Sequence, residues 1–435
     1  MKSQHPWLWV PTLYFAEGIP YFIVNNISVV LFKNMGMSNA DLALYTSLLY
    51  LPWVIKPLWS PFVDIIRTKR WWILVMQVLM AAGFALAALT LPRPDAAAIA
   101  AHSVGVSPFL LTLIIFYVTA LASATHDIAA DGFYMIGLDT HTQSVFVGIR
   151  STFYRIASVF GQGVLVVIAG LLEKNTGNIP LAWSLTLGLC AVLLGLVALW
   201  HTFALPHAEQ PAPASRTARE ILSGLGRTFV TFFQKKQVWF AMVFMLLYRL
   251  PEAFSVKMLN PFLLDPVAEG GLGLSTGTVG LAYGTIGVIA LTLGGILGGL
   301  AAGRWGLKKS MWPMALSLAL PCSVYLYMAI AQPSQLWVIS TCIAVDQFGY
   351  GFGFTAYMLY MMYFGEGEFK TSHYALCTAF MALSMMLPGL VAGHLQERLG
   401  YTGFFWMVMA CCLATVVVTL FAKVDPSYGK ASQTE

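Results

Sequence analysis

Apolar runs of helix length alternate with short polar breaks along the whole chain. A bilayer crossing takes about 20 mostly apolar helical residues. Twelve runs meet that need: 8–32, 40–63, 71–91, 108–138, 146–172, 180–204, 237–263, 276–302, 311–331, 335–363, 372–395 and 402–422. The pattern predicts an all-α membrane protein. One long polar stretch, 205–236, is rich in Pro, Ala and basic residues and divides the runs six and six. The expected organisation is an N-terminal six-helix bundle over 1–204, a central cytoplasmic loop over 205–236, a C-terminal six-helix bundle over 237–422 and a cytoplasmic tail over 423–435. Within the loop, 215–233 reads either as an amphipathic helix on the inner leaflet or as a plain linker.

Composition sharpens this picture. Charged residues are 10% of the 435 and hydrophobic residues 58%, against roughly 25% charge in soluble domains. So little charge excludes a soluble surface of this size. With twelve crossings and a cytoplasmic N-terminus, fifteen basic residues fall on the inner side, and only Lys33, Arg93, Lys174 and Arg398 on the outer. Such a bias places both termini in the cytoplasm. The N-terminal run shows no cleavable-signal pattern and reads as a retained first span. The six cysteines all lie inside apolar runs without CxxC spacing, which gives neither a disulfide framework nor a metal site. No nucleotide-binding loop or zinc-protease motif occurs, and the GxSxG match at 273–277 precedes an apolar span rather than following a strand, so nothing supports an enzyme, a cofactor or ATP-driven transport. Basic residues form no stripe suited to nucleic acid.

The two halves repeat. Gly170, Gly177 and Trp183 recur at identical spacing as Gly393, Gly400 and Trp406, each set joining the fifth run of a half to its sixth. MSNADLALY before the second run echoes LSTGTVGLAY before the eighth, with Ser38 and Ser275 as expected helix caps. Twelve spans in two pseudo-symmetric six-helix bundles around a basic loop is the plan of major facilitator transporters.

Polar residues inside the spans mark candidate chemistry, because a charge at membrane depth ordinarily faces a cavity or a partner. Asp127 and Asp131 stand four apart, on one face of the fourth span. Glu17 sits in the first span on a stripe with Tyr14, Tyr21, Asn25 and Ser28, within about 80° of arc. Burial and like-charged neighbours both favour the protonated acid, so Glu17, Asp127 and Asp131 are the candidate proton-coupling residues. Counting depths from the turn after the fourth span makes a pair between one of these aspartates and Arg155 geometrically possible, leaves the other carboxylate spare and leaves Arg150 shallower. His126, about 100° off the acid stripe, reads as packing. Arg249 and Glu252 stand three apart in the seventh span beside Lys257. The tenth span carries Asp346, Gln347 and a face of Tyr350, Gly353, Tyr357 and Tyr360. Aromatics beside hydrogen-bonding groups suit sugar rings, and plain packing is the alternative. Candidate cargo contacts are Tyr14, Tyr21, Asn25, Tyr154, Arg155, Arg249, Glu252, Asp346, Tyr350 and Tyr357. After the second span, Asp64 precedes Arg67, Lys69 and Arg70, a pattern suited to gating. The counterpart after the eighth keeps Arg304 without an acid.

The stretches PLWSPFVD, ASATHDIAADGF, GIRSTFYRIASVFGQGVLVVIAG, LLYRLPEAF and GLVAGHLQERLGYTGFFW together resemble the AmpG-type muropeptide permeases, which are grouped with acetyl-coenzyme A transporters. The resemblance implies proton-driven import of N-acetylglucosaminyl-anhydro-N-acetylmuramyl peptides across a bacterial inner membrane, for wall recycling. A monomer in the lipid bilayer is the expected working unit. It carries over to Asp127, Asp131, Tyr154, Arg155, Arg249 and Glu252. Two positions depart from the family pattern: Glu17 stands where a small polar residue is common, and Glu252 where an aspartate is expected. The alternatives are another cargo (a different sugar or peptide conjugate, an acyl-coenzyme A, a metal chelate) and a non-transporting sensor of wall fragments.

Overall fold

The computed structural model describes residues 5–138, 140–207, 218–367, 370–426 and 428, almost all of them helical. Nine helices among these are long and apolar enough to cross a membrane. The longest, Ser372–Phe421, is two legs joined at Gly400, whose φ of 67° breaks the helix. With Leu336–Gly365 and the broken segment 39–65, the described helices make twelve legs. In chain order these are α1 (Pro6–Asn34), α2 (39–65), α3 (Lys69–Thr90), α4 (Ser107–Gly137), α5 (140–176), α6 (Ile179–Ala204), α7 (Val238–Leu264), α8 (Thr276–Trp305), α9 (Leu307–Ala331), α10 (Leu336–Gly365), α11 (370–399) and α12 (400–421).

Side chains such as Leu89 (83% exposed), Trp337 (72%) and Phe203 (69%) stand out from the helices. Exposed apolar residues in this density are what lipid, rather than water, would cover.

Contacts divide the chain into two units. One holds the residues up to Ser38 and Ile55–Gly226; the other holds Asn39–Val54 and the residues from Arg227 onward. The division differs from the sequence boundaries chiefly in sending Asn39–Val54 to the second unit. It falls where α2 is broken, between the helical pieces Asn39–Leu48, Leu51–Ile55 and Ser60–Ile65. Pro52, Pro57 and Pro61 cause the breaks, each lacking the backbone N–H that would continue the preceding turn. Lys56 sits in the tight turn Lys56–Leu58 between the last two pieces.

In the second unit, the start of α2 lies against α11. Asn39 donates to Gln396 Oε1 at 2.7 Å and Asp265 Oδ2 at 3.1 Å, and the Ala40 N–H donates to Glu397 Oε1 at 2.8 Å. Gly393 makes this approach feasible: a Cβ there would stand 1.9 Å from the Asn39 carbonyl oxygen. Gly393→Leu is therefore expected to cost about 3 kcal/mol or more by forced displacement, seen as an early thermal transition in detergent. An unchanged transition would refute this contact.

The internal repeat has a conformational counterpart. Gly177 and Gly400, matched by sequence, both take positive φ, 62° and 67°, a region costly for residues with a Cβ. Glu173 and Gln396 occupy matched positions and play parallel roles. Glu173 accepts from Asn34 at 3.0 Å and Trp183 Nε1 at 2.8 Å, while Gln396 accepts from Asn39.

The helix Ala218–Phe233 occupies most of the stretch expected to be amphipathic. At least part of its apolar face meets protein rather than lipid. Phe232 is fully buried, with its ring against Phe364 at 5.5 Å and Phe380 at 6.2 Å. Residues 208–217 of the loop lie outside the described residues.

Candidate functional site

In the first unit, four helices bring charged groups together. The Lys56 ammonium, delivered by the proline break in α2, pairs with Asp127 of α4. One turn along α4, Asp131 accepts from Arg150 of α5 at 2.8 Å and from the Tyr14 hydroxyl of α1 at 3.1 Å. The Arg150 guanidinium lies over two rings, 4.4 Å from the Tyr14 centroid and 5.1 Å from that of Tyr134. Glu17, one turn from Tyr14, is only 8% exposed and within hydrogen-bonding reach of Asp127. Its Oε2 has no hydrogen-bond partner. Three carboxylates thus converge, two of them each holding a cation. The third, Glu17, keeps a bare oxygen.

The structure pairs the aspartates with cations other than the expected Arg155. Asp127 takes Lys56, and Asp131 takes Arg150. The physical reason is the start of α5, at Thr140 rather than near 146. Six extra residues set Arg150 about 9 Å further into the helix than the sequence count allowed. Arg155, five positions on, is rotated about 140° from it. Lys56 was missed because a lysine next to a proline near a span end reads as a topology signal; its only clue was a base inside the apolar run 40–63.

The remaining α1 candidates line up above this cluster. Asn25 is buried, donates to the Tyr21 carbonyl at 3.1 Å and leaves its Oδ1 unpartnered. It lies in a wide π-type turn, Ile23–Ile27, that follows Pro20; such turns recur at functional sites. Tyr154 of α5 packs 5.4 Å from Phe22 and 6.4 Å from Tyr21. Behind the cluster runs a buried polar chain absent from the sequence expectations. Thr12 Oγ1 meets His201 Nε2 at 2.9 Å, His201 Nδ1 meets Gln77 Oε1 at 3.0 Å, and Gln77 Nε2 meets His126 Nε2 at 3.0 Å. The amide in its middle passes protons poorly, so the chain ties α1, α3, α4 and α6 together.

In the second unit, Arg249 Nε donates to Glu252 Oε2 at 2.9 Å, and its Nη2 donates to the Tyr350 hydroxyl at 2.9 Å. The guanidinium faces the rings of Phe354 at 4.7 Å and Tyr357 at 5.6 Å. Tyr357 is fully buried and its hydroxyl donates to the Met245 carbonyl at 2.7 Å, so its ring packs rather than presenting a free polar edge. Tyr360 stands 4.1 Å from Phe244 in the same aromatic group. Asp346 accepts from Tyr325 at 2.5 Å and Gln347 at 3.0 Å.

The expected gating residues are scattered in role. Arg70 donates to the Thr202 and Leu205 carbonyls at 2.6 and 3.3 Å, capping the end of α6. Arg67 lies 6.0 Å from the Trp71 ring, and Arg304 is exposed. The Asp64 side chain lies outside the described residues.

The profile of the Major Facilitator Superfamily matches residues 12–366. The chain belongs to that superfamily. Among curated members, it is 23% identical to the anhydromuropeptide permease of Escherichia coli over 425 residues, covering 96% of this chain and 80% of the relative. Its fold matches the superfamily's D-xylose-proton symporter with a TM-score of 0.70 at 13% identity, over 97% of this chain and 98% of the other. It matches the nucleoside transporter NupG with a TM-score of 0.68 at 17% identity, over 97% and 98%. The major facilitator fold of two six-helix bundles holds, and the chain is a multi-pass membrane protein of a secondary-transporter family.

Proposed function

We propose that the chain imports N-acetylglucosaminyl-anhydro-N-acetylmuramyl peptides into the cytoplasm, coupled to protons, by alternating access in a bacterial inner membrane. In this reading both termini are cytoplasmic and a monomer suffices. The observation that carries it is the convergence of Glu17, Asp127 and Asp131 with Lys56 and Arg150, in which Glu17 keeps a buried oxygen without a partner. Two ion pairs fix two acids, while a third buried acid is left to gain and lose a proton. The name of the Escherichia coli relative supports the cargo. The Arg249–Glu252–Tyr350 group, with Tyr21, Asn25, Tyr154 and Arg155, is proposed to contact it.

Uptake of radiolabelled anhydromuropeptide into proteoliposomes, with and without an inward proton gradient, tests both parts. Accumulation above equilibrium only with the gradient is the expected result. Equilibration without gradient dependence would remove the coupling, and no uptake by folded protein would remove the cargo.

A further inference from the structure

Lys257 lies two turns before the end of α7 and is 5% exposed. Its ammonium donates to Thr46 Oγ1 at 3.1 Å and stands 5.4 Å from the Tyr50 ring centroid. No carboxylate pairs with it among the described residues. Elsewhere in the spans, Lys56, Arg150 and Arg249 each hold an acid. An ammonium carries three donors, and only one of these is used.

The surroundings of Lys257 also have unused capacity. Ser47, one position after Thr46, is fully buried, and its Oγ has no hydrogen-bond partner. It borders the same spot as the lysine stem: a Cβ built on Gly389 would stand 2.2 Å from Ser47 Oγ and 3.1 Å from Lys257 Cε. Asn260 follows Lys257 by three positions on one helix face, and its Oδ1 is likewise buried and bare. The cation and the bare hydroxyl therefore sit close together, with no anion beside them among the described residues. Desolvating an unpaired ammonium is costly, and an anion with a hydrogen-bond donor beside it offsets that cost.

We propose that Lys257 holds a carboxylate of the cargo, with the Ser47 hydroxyl as second donor. A single positive charge with one hydroxyl matches a monoanion, whereas a phosphate dianion would leave charge uncompensated. The proposal rests on the peptide-bearing cargo of the preceding section, since peptides end in carboxylates.

The test uses the full chain in proteoliposomes, with anhydromuropeptide offered as the free acid and as its carboxyl-amidated form. Wild type is expected to prefer the acid. Lys257→Met is expected to raise KM for the acid about tenfold or more while leaving that for the amide near wild type. Lys257→Arg, which keeps the charge, is expected to retain part of the preference and controls for folding. An acid-over-amide ratio unchanged in Lys257→Met would overturn the proposal. If wild type takes up neither form, the cargo reading fails by itself, and thermal stabilisation by N-acetyl-alanyl-alanine against its amide decides the inference. Acid-specific stabilisation that disappears in Lys257→Met upholds the carboxylate site. Equal stabilisation of the two proteins, or none in either, overturns it.

Discussion

Lys56→Met is expected to lower the thermal transition of the detergent-solubilised protein by about 2–3 °C, and Asp127→Asn added to it to restore most of the loss. In the wild type, Lys56 and Asp127 are each 19% exposed at the side chain and pair directly. Removing only the lysine leaves Asp127 beside Glu17 and Asp131, while Arg150 stays engaged by Asp131. Breaking a buried pair by deleting one partner costs about 3–5 kcal/mol. Partial exposure reduces this to roughly 2–3 kcal/mol, because solvent screens the stranded charge. In a chain of this size that is on the order of 2–3 °C. Removing both charges leaves neither stranded, so the double variant is expected to sit within about 1 kcal/mol of wild type. A double variant no better than the worse single one would mean that the pair does not couple. Uptake separates stability from function: the double variant, although folded, is expected to transport poorly, because the proposed proton site has lost a neighbouring charge on each side of its balance.

The outline of this fold could be read from the chain because lipid imposes a coarse rule. Backbone polar groups must be satisfied within each span, so apolar runs of the right length have few alternatives to helix. The glycines of the repeat were legible for a related reason. Gly177 and Gly400 mark turns with positive φ, and the spacing to Trp183 and Trp406 preserved the match. What escaped was local. The sequence could not show that three prolines break α2 at Lys56, nor that α5 begins at Thr140, and these two details decide which cation meets which aspartate. Side-chain neighbours between helices depend on rotation and register, and an error of a few residues at a helix start turns one face away. Asn39, placed by Gly393 against Asp265 and Gln396, had no signal of its own beyond being polar. The tyrosine face of α10 shows the converse difficulty. Tyr350 reaches the Arg249 guanidinium, whereas Tyr357 two turns on is wholly buried, and equal spacing in sequence cannot tell them apart.

Glu17→Gln is expected to uncouple transport without abolishing it. Glutamine keeps the shape and hydrogen-bonding reach of the acid but cannot titrate. Because Glu17 holds no cation of its own in the cluster, its neutralisation strands no partner, unlike that of Asp131, whose loss would leave Arg150 without its acid. With one proton moved per cargo, a gradient of one pH unit supports about tenfold accumulation, since each factor of ten corresponds to 1.4 kcal/mol. The variant is expected to bring internal cargo only to the external concentration, about a tenfold loss of accumulation, while exchange of labelled for unlabelled cargo without a gradient continues near the wild-type rate. Asp131→Asn is expected to lose both activities, because Arg150 and Tyr14 lose the group that positions them. The two variants therefore separate a proton carrier from a structural acid in the same cluster. If Glu17→Gln still concentrates cargo tenfold under the gradient, the proton resides elsewhere, and Asp127, held by Lys56 in this state, becomes the remaining carrier within hydrogen-bonding reach.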